Sequence, residues 1–165
     1  LVVIEAVGNW FGRHENKPVE ERIRDWVNNT REPAGRQPRR YPNLEEAYAR
    51  MQEANPHLTP EQARHLTVHG SNQNEDGTYT WKYDNYTHAW PAFNVGFERL
   101  TELWQQITCP ILIINSVDGF EHRVGQDDTA DLFQIAQVVN VADAGHWTYH
   151  DQLEEVVGTI QEFLD

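Results

Sequence analysis

His146 stands in the run Ala144-Gly145-His146-Trp147, between a β-branched segment and a closing amphipathic one. Histidine titrates near neutrality, so on a short loop leaving the C-terminal end of a strand it can accept and return a proton in a cleft. The same position also suits a loop histidine hydrogen-bonded only to backbone. The remaining histidines promise less. His65 and His69 are spaced i, i+4, as are His146 and His150, but two imidazoles without a third nearby ligand do not make a metal site. No metal and no other cofactor is expected. Trp81, Tyr83, Tyr86 and Trp90 fall close together and either line a partly apolar small-molecule pocket or form the core of their own layer. Cys109, the single cysteine, excludes an intramolecular disulfide and, preceding Pro110 at a strand entrance, reads as an inert buried thiol.

Strands and helices must carry these groups. Leu1-Val2-Val3-Ile4 is an unbroken apolar run ending at Glu5, the pattern of a parallel strand buried on both faces. Residues 10–108 then read mainly as helices. Pro18 precedes a stripe at Val19, Ile23, Trp26 and Val27. The Pro/Arg-rich stretch 31–42 reads as a loop. Asn43 with Glu46 and Thr59-Pro60 with Gln62 are helix-opening signatures, and Gly70 closes the second of these helices. Asp76-Gly77 marks a turn before an aromatic extended segment at 78–83 whose partner is not evident. A further amphipathic helix carries Phe97, Leu100, Leu103 and Trp104. Residues 109–115 (CPILIIN) form a second buried strand, 127–135 a helix, 137–141 a third strand and 151–164 the last helix.

Strands alternating with helices predict an α/β fold with a parallel sheet and right-handed crossovers. The long helical insertion between the first two strands cannot lie within that sheet. It is expected as a separate layer over the strands' C-terminal edge, where open α/β sheets bind ligands.

The CPILII strand, the run VVNVADAGHW ending at Trp147, and the segment from Asp151 to the terminal Phe163-Leu164 together resemble the C-terminal part of the α/β-hydrolase fold. More narrowly, 40–47 (RYPNLEEA), 55–64 (NPHLTPEQAR) and 74–86 (NEDGTYTWKYDNY) are similar to the lid of serine hydrolase-like proteins in that superfamily. The resemblance implies a partial parallel sheet with an inserted helical lid. Its divisions are a core strand at 1–9, a lid at 10–108 and the C-terminal part of the core at 109–165. It also implies that His146 is the base of a Ser-His-acid triad whose nucleophile sits on a Gly-x-Ser-x-Gly elbow. No such elbow occurs in the sequence; Gly70-Ser71-Asn72 lacks the second glycine and falls in the presumed lid. Two residues are candidates for the acid. Asp118 lies one residue short of the family's usual position after the Cys-Pro strand, which falls on Gly119, and Ser116 replaces the glycine of that pattern. Glu5 ends the first strand, where haloalkane-dehalogenase-like branches carry their acid, and a carboxylate there can orient the histidine. Substrate contacts are expected from Trp81, Tyr83, Tyr86 and Trp147.

Composition bounds the partners. The 165 residues carry Lys+Arg 13 against Asp+Glu 26, a net charge of −13, with 39% hydrophobic and 11% aromatic residues. That is a folded single-domain length, and an acidic balance of this kind disfavours sequence-independent nucleic-acid binding. No apolar run approaches the roughly 20 residues of a membrane span. The acidity is uneven: residues 1–82 carry 11 basic and 12 acidic groups, residues 83–165 carry 2 and 14. The lone cysteine fits a reducing, cytoplasmic setting. Because the sequence opens on Leu1 directly into a strand, a further segment upstream is expected. The resemblance implies the function of a C-terminal portion of a hydrolase of small esters or amides, inactive alone, with a missing N-terminal half or a second copy as partner. The alternatives are a non-catalytic truncated protein that dimerises, and a fragment of an epoxide hydrolase or dehalogenase-like enzyme, with Tyr83 or Tyr86 as proton donors to an opening epoxide and Asp as nucleophile.

Overall fold

Ile111-Leu112-Ile113-Ile114 is β-branched or branched at every position, and in the computed structural model every residue of the strand it opens, β4 (Ile111–Ser116), is buried. The structure describes residues 1–5, 17–35, 38–84, 96–119, 124 and 129–165. Among them β4 lies between β1 (Val2–Ile4) and β5 (Ala136–Val141), parallel to both, in the order β1-β4-β5. Ile4 is in register with Ile114, and Ile114 with Val139.

The alternation of a pleated strand divides these residues between two apolar layers. Leu112 and Ile114 pack with Val141, Ala144 and Val156, joined by Ile160 and Phe163 of the closing helix α6 (Leu153–Leu164). Ile111 and Ile113 pack on the other face with Val124 and Phe133, joined by Trp104 and Ile107. Trp104 stacks on Phe133 at 5.3 Å between ring centroids. For β4 the sequence therefore reads correctly as parallel and two-sided. The strand β1, expected to be buried on both faces, is only half-buried with Leu1 exposed, because among the described strands β4 alone pairs with it.

The chain divides into two compact units, Leu1–Asn16 with Val95–Asp165, and Lys17–Asn94. The helix α4 (Phe97–Trp104), expected within a lid ending at 108, clusters with the sheet through Trp104. In the second unit α1 (Val19–Gly35) continues through Arg31, where a loop is expected, and stops at a glycine, the usual helix terminator. Asn43 caps α2 (Leu44–Ala54) by accepting from the Glu46 N–H at 2.9 Å. Thr59 and Gln62 form a reciprocal capping box on α3 (Pro60–Gly70). The aromatic segment finds its partner in β2 (Ser71–Gln73), which follows α3 without a break and pairs antiparallel with β3 (Tyr79–Trp81).

Two further segments differ from expectation. The helix expected over 127–135 is a single 3-10 turn, Thr129–Leu132, with 125–128 outside the described residues. The last helix is preceded by a short one, α5 (Thr148–Asp151), and the break falls at Gln152, whose extended backbone (φ −133, ψ 59) interrupts the hydrogen-bond ladder. Cys109 is exposed, not buried, because it precedes the strand and its enclosed stretch begins only at Ile111. No helix among the described residues is long and apolar enough to cross a membrane.

Leu112→Ala removes a fully buried side chain from the central strand and is expected to cost about 2–5 kcal/mol, whereas Leu103→Ala, at a residue 53% exposed, should stay within about 1 kcal/mol. Urea unfolding followed by circular dichroism measures both.

Candidate active site

The turn leaving β1 begins at Glu5, whose N–H donates to the Ile114 carbonyl at 2.9 Å and so extends the parallel ladder by one bond. Its φ is +50, the left-handed region that an L-residue enters at a cost on the order of 1 kcal/mol. That backbone turns the side chain inward, and only 2% of it is exposed. A carboxylate removed from water needs donors on both oxygens, or burial becomes prohibitive. Oε1 accepts from the Ser116 N–H at 2.5 Å, and Oε2 faces His146 Nδ1 at 3.5 Å.

His146 is delivered by the turn after β5. Asp143, also at φ +50, starts the reversal, a conformation that Asp tolerates better than most residues. Ala144 is fully buried, and the following Gly145 N–H donates to Asp151 Oδ2 at 2.8 Å. The Gln152 amide donates to the Asp143 carbonyl at 3.1 Å, so α5 and its end hold the loop from behind. The turn after β4 holds it from the side: Val117 N–H donates to Val141 and Asp118 N–H to Ala144, at 2.8 and 3.0 Å. Beneath both turns the buried hydroxyls of Ser116 and Thr148 are bonded to each other. The His146 ring rises from this scaffold half-exposed, at 51%.

Glu5 and His146, 141 positions apart in sequence, are thus brought together. Asp118 is exposed, and its backbone N–H ties the two turns by donating to the Ala144 carbonyl. Trp147 is half-buried beside His146; its carbonyl accepts from His150 and Asp151, starting α5. Trp81 lies in the other unit, where its indole N–H donates to the Tyr41 hydroxyl at 3.2 Å and its ring meets Tyr41 edge-on. Tyr83 is exposed, and Tyr86, with Trp90, lies outside the described residues. The His65 and His69 rings are adjacent, 4.4 Å between centroids, but among the described residues no group of three His, Cys, Asp or Glu side chains could hold a metal.

Sequence reasoning passed over Ser116, Thr148, Asp151 and Gly119 as parts of the site. Ser116 registers in the sequence only as a departure from a glycine pattern. Yet its N–H holds one end of the carboxylate, and its hydroxyl ties β4 to the helix that follows His146.

Chemically, a carboxylate on Nδ1 favours the imidazole tautomer with its proton on that nitrogen, so that the Nε2 lone pair becomes the basic one, and it stabilises the ring when Nε2 is protonated. The 3.5 Å separation is long for a hydrogen bond.

No protein-family model and no curated protein sequence matches the chain. Solved structures do. A thioesterase domain from the curacin biosynthetic pathway matches with TM-score 0.75 and 18% identity over 98% of this chain and 57% of its own. An esterase from Mycobacterium tuberculosis matches with TM-score 0.65 and 19% identity over 100% of this chain and 51% of its own. An α/β hydrolase from Novosphingobium aromaticivorans matches with TM-score 0.56 and 16% identity over 82% and 50%. The chain has part of the α/β-hydrolase fold and spans about half the length of these structures.

Thr148→Val strands the buried Ser116 hydroxyl and is expected to cost about 1–3 kcal/mol in urea unfolding. Adding Ser116→Ala should bring the double variant below the sum of the two single losses, since both partners of one bond are then gone.

Proposed function

We propose that this chain supplies the base and the orienting acid of a hydrolase acting on small ester or amide substrates, with His146 as base and Glu5 as acid. The observation that carries this reading is the placement of the Glu5 carboxylate on His146 Nδ1, with the other carboxylate oxygen fixed on backbone. The esterase and thioesterase folds it resembles support it, at the level of fold. The nucleophile, a serine on a strand-to-helix elbow, belongs to a segment outside these 165 residues, as the missing Gly-x-Ser-x-Gly pattern argues.

In the reaction so framed, Nε2 takes the serine proton as the serine oxygen attacks the carbonyl. The proton passes to the leaving alkoxide or amine as the acyl bond breaks, and a water then repeats the steps to free the acid. Trp147, next to His146 in the chain and half-buried, is the proposed substrate contact of this unit. The complementary segment, a missing N-terminal half or failing that a second copy, joins along β1. This strand is paired to β4 alone among the described strands and only half-buried. The single cysteine fits a reducing, cytoplasmic setting.

A second reading draws on the same acid. A carboxylate at the end of β1 is the arrangement of dehalogenase-like branches, in which the elbow residue is Asp and the histidine serves the hydrolytic water.

Turnover of p-nitrophenyl acetate tests the first reading. The 165-residue chain alone should be no faster than its His146→Ala variant, and activity that survives this substitution would overturn the role of His146. In an elbow-bearing protein that includes the chain, His146→Ala should lower kcat/KM by about 10³-fold or more. Glu5→Gln should lower it by at least about tenfold, while Asp118→Asn stays within a few-fold. A preference for alkyl halides or epoxides over esters would select the second reading.

A further inference from the structure

The turn after β4 closes at Gly119, whose N–H donates to the Ser116 carbonyl at 3.3 Å. Among the described glycines only Gly77 has a positive φ, so the backbone at Gly119 would accept a side chain. The space around it would not. A Cβ built on Gly119 falls 2.9 Å from Glu5 Cδ and 3.0 Å from Oε1, and closer still to Oε2, the oxygen that faces His146. All three of its nearest neighbours belong to one carboxylate.

We propose that Gly119 is a positioning residue, and that positions 5 and 119 share one carboxylate-sized space beside His146. The absence of a side chain at 119 is what lets the carboxylate from β1 sit on Nδ1. Glu5 approaches from the end of a neighbouring strand, pinned by the Ser116 N–H, and fills the room that any side chain on the β4 turn would occupy. A methyl group at 119 meets the carboxylate, the far end of a flexible side chain, and displaces it. The proposal rests on the assignment of Glu5 as the acid, and it adds a requirement that Glu5 alone does not reveal.

The test is the tautomer of His146 in the 165-residue chain, read from its ring ¹⁵N shifts at alkaline pH, where the imidazole is neutral. The wild-type chain should hold the Nδ1–H form. Glu5→Gln and Gly119→Ala should each shift it towards the Nε2–H form that free imidazole side chains favour. Gly119→Ala added to Glu5→Ala should change nothing further, because the space is then empty. If Glu5→Gln leaves the ring shifts unmoved, the acid assignment falls, and the proposal with it. If Glu5→Gln moves them and Gly119→Ala does not, the acid stands and the shared space is refuted. Should Gly119→Ala fail to fold, folding of Glu5→Ala/Gly119→Ala would still identify the carboxylate as the obstruction, and failure of both would overturn the proposal.

Discussion

A carboxylate almost wholly withdrawn from water is the constraint around which the sheet's C-terminal edge is arranged. Glu5 reaches that position only because β1 ends in a left-handed residue, because β4 ends with an N–H aimed at Oε1, and because the β4 turn carries no side chain where the carboxylate lies. Each condition is met by a different element, so strand register, turn conformation and residue size converge on one pair of oxygens. The desolvation of a carboxylate amounts to several kcal/mol when uncompensated. It is met by a short backbone hydrogen bond and by an imidazole, which stabilises the carboxylate most when it carries a proton. The same arrangement that makes the burial tolerable therefore places the carboxylate beside an imidazole, a group able to move a proton.

The support beneath the histidine follows a similar economy. The turns after β4 and β5 are held to each other by two backbone bonds, Val117 to Val141 and Asp118 to Ala144, and by the Ser116 and Thr148 hydroxyls. Asp151, one turn into the following helix, fixes the amide just before His146. A half-exposed ring on a loop is usually a mobile group, but here the residues on both sides of it are tied to buried structure. That is the preorganisation a base requires if its lone pair is to point in one direction.

Periodicity made the sheet legible and left the site partly hidden. The apolar run at 111–114 is a strand buried on both faces, whereas the run at 1–4 pairs in parallel as expected but is only half-buried, with Leu1 exposed. The strand–loop–helix order around His146 makes it a candidate, and the resemblance of the run ending at Trp147 is what singles it out. The partner of Tyr79–Trp81 could not be read, since Ser71-Asn72-Gln73 has neither branched residues nor alternation and becomes a strand only by pairing. The approach of Glu5 to His146 depends on a positive φ that glutamate gives no reason to expect. Gly119 was visible only as a mismatch with the resemblance, a glycine where an acid is usual. Its meaning needed the third dimension, in which the missing side chain and the distant glutamate are two views of the same volume.

The two left-handed residues lead to unequal fates under selection for robustness. Replacing Asp143 by glycine would relax its turn and leave the loop's carbonyl still available to Gln152. The identical exchange at Glu5 would relax the other turn while erasing the only side chain it exists to present. Directed evolution that rewards heat tolerance alone would find both mutations attractive, and one of the two would take away the carboxylate proposed to orient His146.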